Sequence, residues 1–242
     1  MNHKITPYKN LKESKKDQVS KMFDNIAENY DFLNHFLSLG IDITWRKKAI
    51  KELTEVKPKK ILDIATGTGD LAIEAMSLKP KKIIGIDISE GMLKIGRDKI
   101  RNKNMSNIIE LEYGDSEKIS YDNNSFDAIT AGFGVRNFEN LSVGLSEIYR
   151  VLKKDGKFVV IEPSIPKNFF LKSLYNFYFK KILPLIGKLV SKDNSAYNYL
   201  PESVDNFPQG KKFIDELNKV GFKDSKFKYL NFGIVAIYTA KK

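Results

Sequence analysis

From Lys60 onward, short unbroken apolar runs alternate with stretches in which apolar residues return every three or four positions. The first pattern is that of strands buried on both faces, the second that of helices with one apolar face. Strands are predicted near 60–64, 82–86, 107–112, 126–131 and 157–162, and helices near 69–78, 89–101 and 139–152. Ser89 is placed to cap the second of these helices, because a hydroxyl there can accept an early backbone N–H. Gly156, after Lys153, Lys154 and Asp155, marks the turn into the fifth strand. Such regular alternation implies a mostly parallel sheet covered by helices on both faces. Upstream, Val19, Met22, Phe23, Ile26, Tyr30, Leu33, Phe36 and Leu37 recur at helical spacing. Ser38, Leu39 and Gly40 interrupt them, a helix near 44–56 follows, and Lys57 to Lys60 turn the chain into the first strand.

The rhythm changes after Pro163. Residues 164–208 are rich in aromatics and lysine, a helix is predicted near 209–220, and two apolar runs at 225–231 and 234–240 flank Gly233 as a hairpin. Five strands and a hairpin make a seven-stranded α/β sheet. Residues 1–18 are polar and read as a flexible tail, and 19–242 as one domain carrying N-terminal helices over 19–56. Residues 164–208 are too short to bury a core of their own, so they read as an insertion.

The chain has 242 residues, 41 basic and 30 acidic, for a net charge of +11. That balance suits a polyanion, an anionic membrane surface or an acidic substrate, and equally suits scattered surface lysine. It contains no cysteine, which excludes disulfides, thiolate metal sites and cysteine nucleophiles. His3 and His35 are too few for a histidine metal cluster, so no metal is expected. No apolar run approaches the roughly 20 residues of a membrane span, and the polar start does not resemble a signal peptide. A cytoplasmic protein is expected.

The chemistry concentrates in Ile61-Leu62-Asp63-Ile64-Ala65-Thr66-Gly67-Thr68-Gly69-Asp70 and in Ile83-Ile84-Gly85-Ile86-Asp87. A strand runs into a glycine loop, and the next strand ends on an acid. This is the layout of a βαβ unit that holds a nucleoside-bearing cofactor. Ala72 stands where a dinucleotide loop would need its third glycine, which points away from NAD and toward S-adenosylmethionine (SAM). Gly67 and Gly69 allow close backbone approach, and Thr68 lies where the methionyl end would pass. Asp63 orients the loop or the cofactor, or simply caps the loop. Asp87 should accept from both ribose hydroxyls, the alternative being a helix cap. Asp115 and Ser116, after the third strand, could meet the adenine amino group or form a plain turn.

A second block, Phe126 to Phe138, runs along the fourth strand and past its end, where open α/β sheets bind ligands. Arg136 and Asn137 therefore fall beside the transferred methyl, and an arginine there could stabilise an oxyanion.

These residues carry a resemblance to the ubiquinone/menaquinone biosynthesis C-methyltransferases. The matching stretches include Met22 to Ala27 with Tyr30, Asp31 and Asn34; Trp45-Arg46; the loop from Gly67 to Ala72; Phe133-Gly134-Val135-Arg136-Asn137; and Tyr197-Asn198-Tyr199-Leu200 with Glu202-Ser203. Similarity covers nearly everything from residue 20 onward. Thr66, Gly132, Asp115 and Pro163 depart from the usual family residues, Pro163 on the substrate side.

The resemblance implies a doubly wound, mostly parallel, Rossmann-like SAM-dependent methyltransferase fold. It also implies SAM as methyl donor and C-methylation of a prenylated quinol, with demethylmenaquinol preferred and the benzoquinol of ubiquinone synthesis as the alternative. By the same resemblance Arg136 would stabilise the phenolate, while Asn137 and Tyr30 would orient the ring or a proton-accepting water; Tyr30 could instead pack the N-terminal helix. A prenylated substrate implies peripheral contact with the inner face of a membrane through residues 164–208, which could otherwise cap the SAM pocket. A homodimer is compatible with the sequence. An RNA methyltransferase is the competing reading of the charge. No RNA-binding module or concentrated basic run supports it, and no nucleic-acid partner is expected. A non-catalytic SAM-binding scaffold would leave Arg136 and Asn137 without a task.

Overall fold

The computed structural model describes residues 5–178 and 195–242. Seven strands form one sheet: β1 Lys60–Ile64, β2 Lys82–Asp87, β3 Ile109–Tyr113, β4 Phe126–Gly132, β5 Leu152–Pro163, β6 Lys223–Leu230 and β7 Val235–Lys241. Their order is β3-β2-β1-β4-β5-β7-β6. The first five are parallel, and β7 runs antiparallel between β5 and β6. The predicted hairpin around Gly233 is thus present, and it closes one edge of the sheet.

Helices α3 (Asp70–Ala75), α4 (Glu90–Asn102) and α5 (Leu141–Val151) connect the parallel strands as the apolar spacing predicts. Core packing divides between the two sheet faces. Ala49, Ile50, Leu71, Leu93 and Ile100 cover one face with α2 (Ile41–Lys51), α3 and α4. Leu145, Ile148, Phe213 and Leu217 cover the other with α5 and α8 (Lys211–Val220).

Three boundaries differ from expectation. Helix α1 spans Lys15–Leu37, starting where the Ser14 hydroxyl accepts the Asp17 N–H. Helix α2 spans Ile41–Lys51 rather than 44–56. Gly40, at φ 74°, reverses the chain so that α2 starts at once, and after Lys51 the chain tightens into turns that bury Leu53. Strand β5 begins at Leu152, because the residues around Gly156 form an irregularity within the strand rather than a turn before it. Phe126 pairs with Leu152 and Ala128 with Lys157, and Asp155 takes φ 63°.

A smaller cluster joins α1 to the body. Val19, Met22 and Ile26 pack with Met92 of α4 and with Ala196 and Tyr199 of α7 (Ser195–Asn206). Of residues 164–208, helix α6 (Phe169–Phe177) and α7 are described, while 179–194 lie outside the described residues. Tyr199, Val204 and Phe207 of this stretch are buried against the main body.

Candidate active site

Strand β1 pairs with β2 on one side and β4 on the other, so the connections diverge there and a crevice opens beyond its carboxyl end. Asp63 sits at that point, level with Gly85 of β2 and Thr130 of β4. Its carboxylate accepts from the Thr66 and Thr130 hydroxyls, each at 2.6 Å. Burial pushes its pKa up to about 6 against the pull of those hydroxyls.

The loop that follows is built from left-handed residues. Ala65, Gly67 and Gly69 take φ 51°, 55° and 81°. Ala65 does so with a side chain, and so does Phe133, at φ 58° beyond β4. Strain of this kind persists where the surroundings over-determine it, often at binding sites. The two loops close on each other. A Cβ on Gly134 would lie 2.4 Å from the Ala65 Cβ.

Asp87 ends β2 under the loop. One oxygen accepts the Gly67 N–H at 2.8 Å and the other the Ser89 N–H at 2.9 Å. Each oxygen keeps a lone pair for a further donor. Burial raises the Asp87 pKa to about 6 despite those bonds. Ser89 caps α4 as expected, accepting the Met92 N–H, and its hydroxyl donates to Asp24 of α1 at 2.6 Å.

The third acid, Asp115, accepts from Lys16 Nζ at 2.5 Å and from the Glu117 N–H at 2.8 Å. Lys16 belongs to a stretch whose composition carries no sign of a site. A second set gathers around Thr68, and sequence reasoning did not connect its members. Lys99 of α4 donates to Asp31 (2.5 Å), Asp70 (2.7 Å) and Thr68 (3.1 Å), and Thr68 in turn donates to Asp31 (2.6 Å). Arg46 bridges Asp70 and the buried Asp42, at 3.2 and 2.6 Å. Burial works against the Asp42 charge, but the Ser38 hydrogen bond and Arg46 hold its carboxyl below the usual range. Asp31, Arg46 and Asp70 lie in matching family stretches, and that was the only signal they gave.

Arg136 lies on a 3-10 turn, Val135–Asn137, just past β4. Its guanidinium donates to Glu162 at 2.9 Å and to the Phe133 carbonyl, and its backbone N–H also reaches Glu162. The turn separates the two sequence neighbours. Arg136 lines a large apolar cavity of about 690 Å³, and Asn137 a narrower cleft of about 60 Å³. The cleft also holds Asp87, Asp115 and Ser116, and the cavity Asp63 and Thr68. Tyr30, Gly67 and Phe133 line both spaces. Asn34 supplies a hydrogen bond to Tyr30, whose hydroxyl is pushed to higher pKa by burial. Gly69 lines neither, and its part is the backbone turn. Asn137 Oδ1 is buried without a partner among the described residues.

These features suit SAM. Acids end β2 and follow β3, glycines keep the loop open beside them, and the cleft meets the apolar cavity at Tyr30. Among the described residues no group of three or more acids or histidines could hold a metal.

Known proteins agree. The model of the ubiE/COQ5 methyltransferase family matches residues 9–242. A demethylmenaquinone methyltransferase of Bacteroides fragilis is 50% identical over 99% of this chain and 98% of its own length. One from Chlorobaculum tepidum is 46% identical over 96% and 95%. The ubiquinone/menaquinone biosynthesis C-methyltransferase UbiE of Geotalea daltonii is 44% identical over 94% and 97%. Among solved structures, a SAM-dependent methyltransferase of Thermotoga maritima superposes with a TM-score of 0.65 at 20% identity, covering 92% of this chain and 99% of that one, which bears on the fold alone. With its glycine loop, acid-tipped strands and Phe-Gly-Val-Arg-Asn turn in place, the chain belongs to the ubiE/COQ5 methyltransferase family.

Proposed function

We propose that this protein methylates a ring carbon of demethylmenaquinol, completing menaquinone. The carrying observation is the junction at Tyr30 and Phe133, where a narrow cleft edged by acids opens into an apolar cavity walled by Trp45, Leu171, Tyr175 and Ile234. A polar nucleoside suits the first space and a fused aromatic ring with an isoprenoid tail the second.

SAM, when bound, supplies an electrophilic methyl on a sulfonium. Asp87 accepts from the ribose hydroxyls through its remaining lone pairs. Asp115 and Ser116 face the adenine edge. Thr68, Gly67 and Gly69 give room to the methionyl end, and Asp63 fixes the loop through Thr66.

Arg136 then meets the quinol. Loss of a phenolic proton moves charge onto the ortho carbon; that carbon would take the methyl as the methyl–sulfur bond breaks and the neutral thioether leaves, and it then sheds its hydrogen as a proton to restore the aromatic ring. Glu162 offsets most of the guanidinium's net charge, so Arg136 acts as a fixed donor at the oxyanion rather than as a free cation. Tyr30, which lines both spaces, orients the ring or a proton-accepting water, and Asn137 acts from the cleft side.

A prenylated substrate also calls for contact with a membrane surface from the cytoplasmic side. No helix among the described residues is long and apolar enough to cross a membrane. Support for peripheral contact comes from the cavity mouth, where Leu39 and Phe232 are 84% and 82% exposed. Next to it, α6 exposes Phe169 and Phe170.

Transfer of labelled methyl from SAM to a short-chain demethylmenaquinol under reducing conditions, with Arg136→Ala as control, tests the reaction. Product that vanishes in the control supports it. Absence of product despite SAM binding removes the quinol, and labelling of RNA would replace the reading.

A further inference from the structure

Tyr199 is 3% exposed, lines the apolar cavity, and its hydroxyl has no hydrogen-bond partner among the described residues. A buried hydroxyl without a partner is costly, and native proteins keep few of them. Arg136 Nε, buried in the same wall, is likewise without a partner among the described residues. Helix α7 packs on the turn that carries Arg136, so the two groups come from adjoining elements. The Arg136 charge is felt at the Tyr199 hydroxyl, although burial dominates and raises its pKa well above the ordinary tyrosine value. Tyr199 therefore stays protonated at neutral pH and acts as a donor, not as a base. Its neighbours Ala196 and Leu200 are apolar, and both also line the cavity.

The cavity wall thus carries two buried donors, the Arg136 Nε–H and the Tyr199 O–H, with apolar side chains such as Ala196 and Leu200 beside them. A quinol ring carries two oxygens, para to each other. Resting on the quinol reading above, we propose that Tyr199 anchors the second ring oxygen, donating a hydrogen bond to the oxygen para to the one Arg136 faces. The ring is then held at both ends, and the carbon beside the Arg136-facing oxygen is the one turned toward the methyl donor. This makes Tyr199 a determinant of specificity. A site built to satisfy a hydroxyl on the substrate discriminates against an analogue that lacks it, because its own donor is left unpaired.

The test compares two acceptors in wild type and in Tyr199→Phe, which removes only the hydroxyl. One acceptor is a short-chain demethylmenaquinol; the other is the matching 3-alkyl-1-naphthol, which lacks the remote oxygen. Wild type should favour the quinol in KM by about tenfold, what one neutral hydrogen bond supplies. Tyr199→Phe should raise KM for the quinol by a similar factor and leave KM for the naphthol unchanged, so that the preference disappears. Equal losses on both acceptors would mean a structural role, and no change on either would mean that the hydroxyl meets nothing; both overturn the inference. Calorimetric binding of the two compounds reads the same contrast without turnover. A wild type that turns over neither compound overturns the reaction proposed above, while the binding contrast still decides Tyr199.

Discussion

Glu162 accepts hydrogen bonds from both the backbone N–H and the guanidinium of Arg136, and the two side chains are 0% and 8% exposed. Burying both charges is costly, and their pairing offsets much of that cost. Burial pushes the Glu162 carboxyl above its usual range, and Arg136 pulls it back only in part. A pair held this way sets the direction of the remaining guanidinium N–H groups, which is what a preformed oxyanion site requires.

Removing either partner alone leaves a buried charge. Glu162→Ala and Arg136→Ala should each lower stability by about 3–5 kcal/mol. The double change Arg136→Met with Glu162→Leu should restore most of that loss, yet leave methyl transfer at the level of Arg136→Ala. Thermal unfolding and single-turnover transfer give the two readings. A double variant no more stable than the weaker single would show that the pair is tied into more than itself. A double variant that keeps its activity would remove Arg136 from the chemistry.

Asp87 should make cofactor binding and stability respond to pH in opposite directions. Its folded pKa of about 6 lies above the ordinary 3.8. Above pH 6 it is ionised and accepts best from ribose hydroxyls. SAM affinity should therefore fall about fourfold between pH 7.0 and 5.5, the loss expected when only the ionised form binds. For the free protein the sign reverses. A carboxyl raised on folding takes up its proton more readily in the folded state, so its ionised form costs stability at pH 7. That cost is relieved as pH falls from about 6 toward 3.8. Asp63, also raised to about 6, adds to the same window. Calorimetric Kd values set beside unfolding temperatures at both pH values test this, and a Kd indifferent to pH would take Asp87 off the ribose.

Lys99 is the centre of a cluster that ties α1, the glycine loop and α4 together. Its ammonium contacts Asp31, Thr68 and Asp70, which belong to α1, the loop and the start of α3. Lys99→Met keeps most of the stem and removes the charge, leaving the two carboxylates without the cation between them. Repulsion should loosen α1 from the loop, raise KM for SAM about tenfold and leave kcat within about threefold, a loss of roughly 1.4 kcal/mol in binding. Hydrogen exchange of α1 amides should rise along with it. An unchanged KM with faster exchange would limit the cluster to a structural part.

The fold was legible because its signals are local. Between Lys60 and Gly132, β1, β2 and β4 are largely apolar runs of five to seven residues and β3 alternates apolar residues with glutamates, and each glycine or acid at a strand end sits within a few positions of its strand. Asp63, Asp87 and Gly67 are therefore readable as a set. The Lys99 cluster was not, because its members come from α1, α2, the loop, the start of α3 and α4 and meet only after folding. Lys16 escaped for the same reason: its partner, Asp115, lies across the structure in the turn after β3. Glu162 was visible only as an acid at the tip of β5, and its pairing with Arg136 depends on the register of β4 beside β5. Asn137 shows the converse limit, since adjacency to Arg136 suggested one shared site and the 3-10 turn sends the two into different spaces.

Helix α6 carries the clearest expectation for membrane contact. Phe169 and Phe170 are 88% and 75% exposed and do not line the cavity. Asn168 caps the helix by accepting the Phe170 and Leu171 N–H groups, so these rings stand in the first turn of an ordered helix. Lys167 and Lys172 flank them, with no acid between, a charge pattern suited to anionic headgroups. Fully burying a phenylalanine contributes about 1.5–3 kcal/mol, and partial entry somewhat less. Phe169→Ser with Phe170→Ser should therefore cut binding to phosphatidylglycerol vesicles at least tenfold, read by co-sedimentation. Turnover of a long-chain quinol embedded in those vesicles should drop in parallel, while turnover of a short-chain quinol in solution stays at the wild-type rate, because neither ring reaches the cavity. Vesicle binding that survives the double change would move the contact to other surfaces. Equal loss of both turnovers would mean that α6 shapes the cavity rather than meeting lipid.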